Sequence, residues 1–316
     1  MEGITTTVRE GFVSRNDENT RVLQLDEKQW QRVVKADFNY LVSLWAPDAD
    51  KESLRVLMDF NNWAFFFDDQ FDEGHLQYDV EAAQAECDST FALLSNSHPT
   101  LSAVENPLGH MFQHTWLCFQ KRASQDQQER YKKSVKIFLD SLVDHVRTAS
   151  HSVELDLDEF LDHRRGSIGV FPTQDLVEWC YNINIPSYVF ENNSLNELRR
   201  ISADATLLAN DILSYTKDLA EGCVHNAILI LGKKGLSEQQ AVDTLGVLFT
   251  QLYKDWYRAI AEMPIWGEHV DREVFKYIEV LQRVPIGNIY WSFRTGRYLQ
   301  GKGETVRKTR IMAIPV

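Results

Sequence analysis

The chain has no long apolar run. None of its stretches approaches the roughly 18 consecutive apolar residues of a membrane-spanning helix. Met1 to Thr20 is polar and mixed in charge, without the apolar centre of a secretory signal. Cysteine is scarce. The four residues Cys87, Cys118, Cys180 and Cys223 form no CxxC pair and no zinc spacing. A disulfide framework and a structural zinc are therefore not expected, and reduced thiols in the cytoplasm are. Positive charge is also short: 33 Lys and Arg stand against 46 Asp and Glu, a net charge of −13. That balance argues against nucleic acid and anionic membrane as main partners. It also means that a phosphate-bearing ligand would have to be held by local cations.

Strand-like alternation is rare and short, and no Ser/Gly-rich linker, low-complexity block or repeat divides the 316 residues. Helical period dominates. It fits best over 50–72, 79–95, 101–121, 127–150, 156–165, 173–184, 194–221, 224–234, 237–262, 271–283 and 286–300. The breaks carry turn chemistry, such as Asn106-Pro107, Ile185-Pro186, Met263-Pro264 and Val284-Pro285. The expectation is a single all-α domain over residues 1–316, with 1–25 and 302–316 as weakly structured ends. Hydrophobic residues make up 44% of the chain, enough for a large core. Monomer and homodimer are both open as assemblies.

Two polar columns interrupt this helical pattern. Asp68 and Asp72 are four residues apart in Phe65-Phe66-Phe67-Asp68-Asp69-Gln70-Phe71-Asp72. Asn210, Ser214 and Asp218 are spaced by four and four again. On a helix each set stacks on one face. Leu54, Leu57, Met58, Asn61 and Phe65 lie within about 60° of one helical direction, and Asp68 and Asp72 continue that stripe. The carboxylates thus fall where the core face should be, and buried carboxylates need a partner or a metal. A solvated acidic helix end would explain the Asp string alone; the continuous stripe and aromatic approach favour a site. The second helix is apolar most of the way round, as a central helix would be, although a solvated polar face would show the same spacing. Hard oxygen ligands in small number, leaving room for water and phosphate oxygens, suit Mg²⁺.

Taken together these residues resemble the class I terpene cyclases, most of all the fungal, basidiomycete-type sesquiterpene synthases. That family carries an aspartate-rich DDxxD motif, here Asp68-Asp69-x-x-Asp72. It carries an N-D-x-x-S-x-x-K-E motif, here Asn210-Asp211-x-x-Ser214-x-x-Lys217-Asp218. A diphosphate-sensing arginine precedes a helix kink, and Arg164 stands in that place, 46 residues before Asn210. An Arg-Tyr pair closes the pattern as Arg297-Tyr298. The four motifs keep their order over residues 65–298. One ligand departs: Asp218 stands where the family usually has Glu, with Glu221 one turn further as the alternative. Arg165 beside Arg164 leaves the sensor open by one position.

The resemblance implies a helical bundle around a central cavity and a lyase acting on a prenyl diphosphate. Farnesyl diphosphate would ionise, cyclise and release diphosphate. Three Mg²⁺ are implied, two at the Asp68 and Asp72 side and one at Asn210, Ser214 and Asp218. Arg164, Lys217, Arg297 and Tyr298 would hold the diphosphate. Asp69, about 100° from Asp68 on the helix, would latch to Arg297 on closure. Phe65 and Trp291 would wall the pocket and face the cation, although plain packing is the commoner fate of aromatics. A trans-prenyltransferase of the same fold should show a second DDxxD at 210–218. A phosphohydrolase reading of Asp144-His145 and Asp162-His163 finds no further ligands, and both pairs read as helix surface. A non-catalytic helical interaction module is the remaining alternative.

Overall fold

The computed structural model describes residue 23, residues 25–151 and residues 153–314. Among the described residues there are thirteen α-helices and no strand. They are α1 (Glu27–Ala36), α2 (Phe38–Trp45), α3 (Lys51–Asp72), α4 (Val80–Ala92), α5 (Pro107–Gln120), α6 (Gln125–Ser150) and α7 (Leu157–Ser167). Then come α8 (Val170–Cys180), a 3₁₀ turn at Ser187–Glu191, α9 (Asn193–Glu221), α10 (Ala227–Lys233), α11 (Glu238–Ala261), α12 (Glu268–Arg294) and α13 (Gly303–Thr309).

The helix starts are written locally. Ser124 with Gln127, Asp156 with Glu159 and Ser237 with Gln240 form reciprocal capping boxes at α6, α7 and α11. Asp50 accepts from the backbone of Glu52 and Ser53 to start α3. Gly169, at φ 71°, separates α7 from α8, and Gly222, at φ 72°, ends α9. Both are left-handed positions that glycine fills at little steric cost.

The helices pack around α9, which touches α7, α8, α10, α11 and α12. Its residues 201–211 are buried without a break. The helix that the sequence shows as apolar most of the way round is thus the centre of the fold. The core is one connected cluster of buried side chains from Ala36 to Leu299. Trp63 of α3 anchors it, stacking on Phe112 at 4.2 Å and on Phe67 at 4.9 Å between ring centres. Burying a side chain of that size contributes about 1.5–3 kcal/mol or more.

Three expectations are corrected. Residues 271–300 do not break at Val284-Pro285: α12 runs through Pro285 to Arg294. Proline removes the hydrogen bond that Leu281 O would accept. Ser202 of α9 replaces it, its Oγ donating to Leu281 O at 2.7 Å. Residues 303–309 are helical, although 302–316 read as a weak end. There a Cβ on Gly303 would collide with the backbone of Phe293. The weak-end reading of 1–25 lies mostly outside the described residues; α1 and α2 follow it directly, with no helix expected there. Among the described residues no helix is long and apolar enough to cross a membrane.

Candidate active site

Both columns face one cavity. It is lined from α3 by Asn61, Ala64, Phe65, Asp68 and Asp72, and from α9 by Thr206, Asn210, Ser214, Lys217 and Asp218. Arg164 at the end of α7, and Arg297 and Tyr298 beyond α12, complete its polar end. With its open mouth the space is about 930 Å³, in the range of sites for small organic ligands. The rest of the wall is mainly apolar, with Leu41, Trp45, Phe138, Ile168 and Val170.

The polar end is strongly ordered. Arg164 donates from Nε to Asp211 at 3.2 Å and from Nη2 to Asn210 Oδ1 at 3.0 Å. Asp211 is buried and also accepts from the Ala227 amide at 2.8 Å. Burial pushes its carboxyl up to about 6, against the pull of Arg164. Asn210 Nδ2 donates to Tyr298 Oη at 3.0 Å. Ser214 Oγ donates to Asp218 Oδ2 at 2.5 Å, and Asn226 Nδ2 to the same oxygen at 2.9 Å. Lys217 pairs with Glu221 and lies 3.6 Å from Asp218.

Geometry separates the neighbours that spacing left open. Arg165 turns away from the cavity to Asp204 at 2.5 Å and Asp162 at 2.6 Å. Asp218 lines the cavity and Glu221 does not. Asp69 is also off the cavity wall and accepts from Arg297 Nη2 at 2.8 Å. The segment carrying Arg297 is tied to the end of α1. Gly296 N donates to Lys35 O at 2.8 Å, and Thr295 Oγ1 to Ala36 O at 2.8 Å.

Phe65 is on the wall, with the Arg297 guanidinium 5.5 Å from its ring centre. Trp291 is not. It is wholly buried behind Phe65, at 5.8 Å between ring centres, and its Nε1 donates to Ala36 O at 2.7 Å. The expectation of Trp291 as a cation-facing wall is corrected: its face packs behind Phe38, Phe65 and Tyr298 instead. His145, expected on a helix surface, is buried, 3.4 Å from Asp72 and stacked on His225 at 4.0 Å. Burial pushes both imidazoles down. His225, Cys223 and Asn226 escaped the sequence reading. They follow Gly222 in a short loop: the helix expected over 224–234 starts only at Ala227, and Asn226 is its N-cap.

Several features ask for a cation at this end. Burial, with Asp72 and Asp69 beside it, pushes the Asp68 carboxyl well above the usual carboxylate range, though Arg164 and Arg297 oppose this. Asp72 and Asp218 sit in the last turns of α3 and α9, where the helix dipole is negative. Neither last turn carries a basic residue. Among the described residues no three His, Cys, Asp or Glu side chains converge as a metal cage. The available donors are carboxylates a turn apart, an amide and a hydroxyl. That set fits Mg²⁺, which takes one or two carboxylates and completes its shell with water and phosphate oxygens.

Comparison with known proteins agrees with this chemistry. Residues 59–255 match the family model "Terpene synthase family 2, C-terminal metal binding". The chain is 38% identical to Terpene cyclase 4 of Gibberella fujikuroi over 90% of its own length and 78% of that protein's. It is 29% identical to Sesquiterpene synthase 6 of Postia placenta, over 92% and 84%. The crystal structure of an α-eudesmol synthase superposes with a TM-score of 0.79 at 22% identity, covering 92% of this chain and 95% of that one, a likeness of fold. The chain belongs to the terpene synthase family.

Proposed function

We propose that the chain is a sesquiterpene synthase that ionises and cyclises farnesyl diphosphate and releases diphosphate. The observation that carries this is one cavity with two poles. Its mouth gathers Asp68, Asp72, Asn210, Ser214, Asp218, Arg164, Lys217, Arg297 and Tyr298, and its interior is mainly apolar. Such a space takes a diphosphate at one end and a folded hydrocarbon at the other. A relative named for sesquiterpene synthesis supports the C15 class.

Bound Mg²⁺, three ions by the family resemblance, would act as a Lewis acid and neutralise charge on the leaving diphosphate. Asp68 and Asp72 would hold it on one side, and Asn210, Ser214 and Asp218 on the other. Arg164 and Arg297 present guanidinium forks, Lys217 an ammonium and Tyr298 a hydroxyl to the same group. These donors are preset by partners outside the substrate, so they need little rearrangement as charge develops. Phe65 and Phe138 shield the allylic cation from water, and a ring face attracts it. The Arg297 to Asp69 pair closes the mouth.

A trans-prenyltransferase fits less well, because α9 offers Asn210 and Ser214 where a second aspartate-rich column would stand. Residues 1–316 act as one cyclase domain in the cytoplasm, as monomer or homodimer. Incubation with farnesyl diphosphate and Mg²⁺, with mass-spectrometric analysis of volatiles, tests the reading. A cyclic C15 product supports it, and no diphosphate release with or without Mg²⁺ overturns it.

A further inference from the structure

The deep end of the cavity is not wholly apolar. Asn61 lies seven residues before Asp68 on α3, about 10 Å further in at 1.5 Å per residue. Asn288 enters from α12. Both side chains line the cavity and are buried, 3% and 6% exposed. Asn61 Nδ2 and Asn288 Oδ1 have no hydrogen-bond partner in the protein. Elsewhere on the wall Thr173 and Thr206 are satisfied, each donating to a backbone carbonyl of its own helix turn, and His225 Nε2 also lacks a partner in the protein.

Buried amides without partners are rare and cost free energy. A prenyl chain carries no donor or acceptor that could satisfy them. Water carries both: it accepts from an amide N–H and donates to an amide carbonyl, and buried water is found where polar groups lack other partners. The surrounding Leu41, Trp45 and Ala64 contribute no competing charge.

We propose that Asn61 and Asn288 anchor water at the deep end of the cavity, and that this water captures the final carbocation, so that the product is a terpene alcohol. The inference rests on the cyclase reading above. The C1–O bond breaks and its electron pair leaves with diphosphate. Alkene π pairs form the ring bonds and carry the positive charge inward. A lone pair of the anchored water then forms a C–O bond to the cationic carbon. The resulting oxonium loses its proton, through further water, to the released diphosphate. No electron is gained or lost from outside. Asn61 and Asn288 act as positioning residues: they hold the nucleophile and orient its lone pair.

The test uses the full chain with Mg²⁺ and farnesyl diphosphate in water enriched in ¹⁸O. Diphosphate release is measured beside the volatile products. The expected result is a main product that is an alcohol and gains two mass units in labelled water. Asn61→Leu and Asn288→Leu, close to isosteric but apolar, should each lower the alcohol-to-hydrocarbon ratio, counted per diphosphate released, by at least tenfold. Hydrocarbon alone from the wild-type chain, with diphosphate released, overturns the inference and leaves the cyclase reading standing. An alcohol whose ratio stays unchanged in both variants overturns the role of the two amides. If no diphosphate is released, both readings fall.

Discussion

Arg297 and Asp69 meet at 2.8 Å across 228 positions of sequence. The arginine is partly exposed and belongs to a turn fastened to α1, whereas the aspartate stands on α3 beside Asp68. Burial pushes the guanidinium pKa down, but Asp69, Tyr298 and Glu221 together more than offset this, so the net shift is upward. One fork therefore links the rim of the cavity to the column that faces the substrate.

Replacing that fork is the first test. Arg297→Lys keeps the charge but not the planar donors that grip two partners at once. Turnover should fall by about a hundred- to a thousandfold, as when one preset donor to the leaving group is lost. Linear or monocyclic products should rise, because the open mouth admits water before the rings close. A wild-type product profile and rate from this variant would refute the latch.

Asp68→Ala should leave the helical fold intact and reduce turnover by at least about a hundredfold, the scale of removing a positioned electrostatic group. Circular dichroism checks the first half. A thermal-shift assay with Mg²⁺ and diphosphate together checks the second without relying on turnover, since a ligand that binds the native state raises its stability. The shift should shrink in the variant; wild-type turnover would sink the assignment.

The unusual ligand makes a sharper contrast. Asp218 is held by Ser214 and Asn226 and lines the cavity, whereas Glu221 is engaged by Lys217. Asp218→Glu is expected to retain activity with altered product ratios, and Asp218→Ala to lose it. Glu221→Ala should keep most of it. An active D218A together with a dead E221A would show that the third ion is placed one turn too early.

Arg164 and Arg165 can be told apart in the same way. Arg164→Ala should abolish the stabilisation by Mg²⁺ and diphosphate, because it leaves Asp211 and Asn210 without their cation. Arg165→Ala should preserve that stabilisation and the product, with some loss of thermal stability because the buried Asp204 keeps only Arg200 as its cation. The reverse pattern would move the sensor by one residue.

A pH effect arises away from the cavity. Glu178 is buried beside Arg130, 2.6 Å away, and its carboxyl is pushed up to about 7 by burial, which outweighs the pull of the arginine. The folded pKa is thus above the ordinary 4.5, and the native state binds the extra proton. The stability this contributes is present below pH 4.5 and is lost as pH rises through 7, at about 1.4 kcal/mol per unit of raised pKa. Urea midpoints measured at pH 5.5 and 7.5 should show Glu178→Gln gaining on the wild type at the higher pH. Parallel pH dependences in the two proteins would contradict this.

Much of the site was legible because its signal is local. Asp68 with Asp72, and Asn210 with Ser214 and Asp218, fall on single faces because a helix repeats every 3.6 residues, whatever surrounds it. The same period marked most helices, and the caps and glycines marked their ends. The order of the four motifs named the family before any packing was known. What escaped lies in loops or depends on a second element. Cys223 and His225 reach the wall from a loop, although the expected helix over 224–234 included His225. His145 read as helix surface, yet it is buried and its ring is covered by His225 from another segment.

The sequence by itself determined most of the helices, the two oxygen columns and the family, because each is set by spacing within one stretch of chain. The tertiary structure alone decided which of two adjacent arginines enters the cavity, that Trp291 stands behind Phe65, and that Asp69 meets Arg297. It alone let α12 pass through Pro285, since the replacement hydrogen bond comes from Ser202, 79 residues from its acceptor. It alone brought Asn61 and Asn288 onto one cavity wall with Asn61 Nδ2 and Asn288 Oδ1 left without partners. The reason is physical. Helical period fixes the direction of a side chain relative to its own axis, whereas the neighbour it meets depends on how whole helices pack, and that is settled by the sum of many distant contacts.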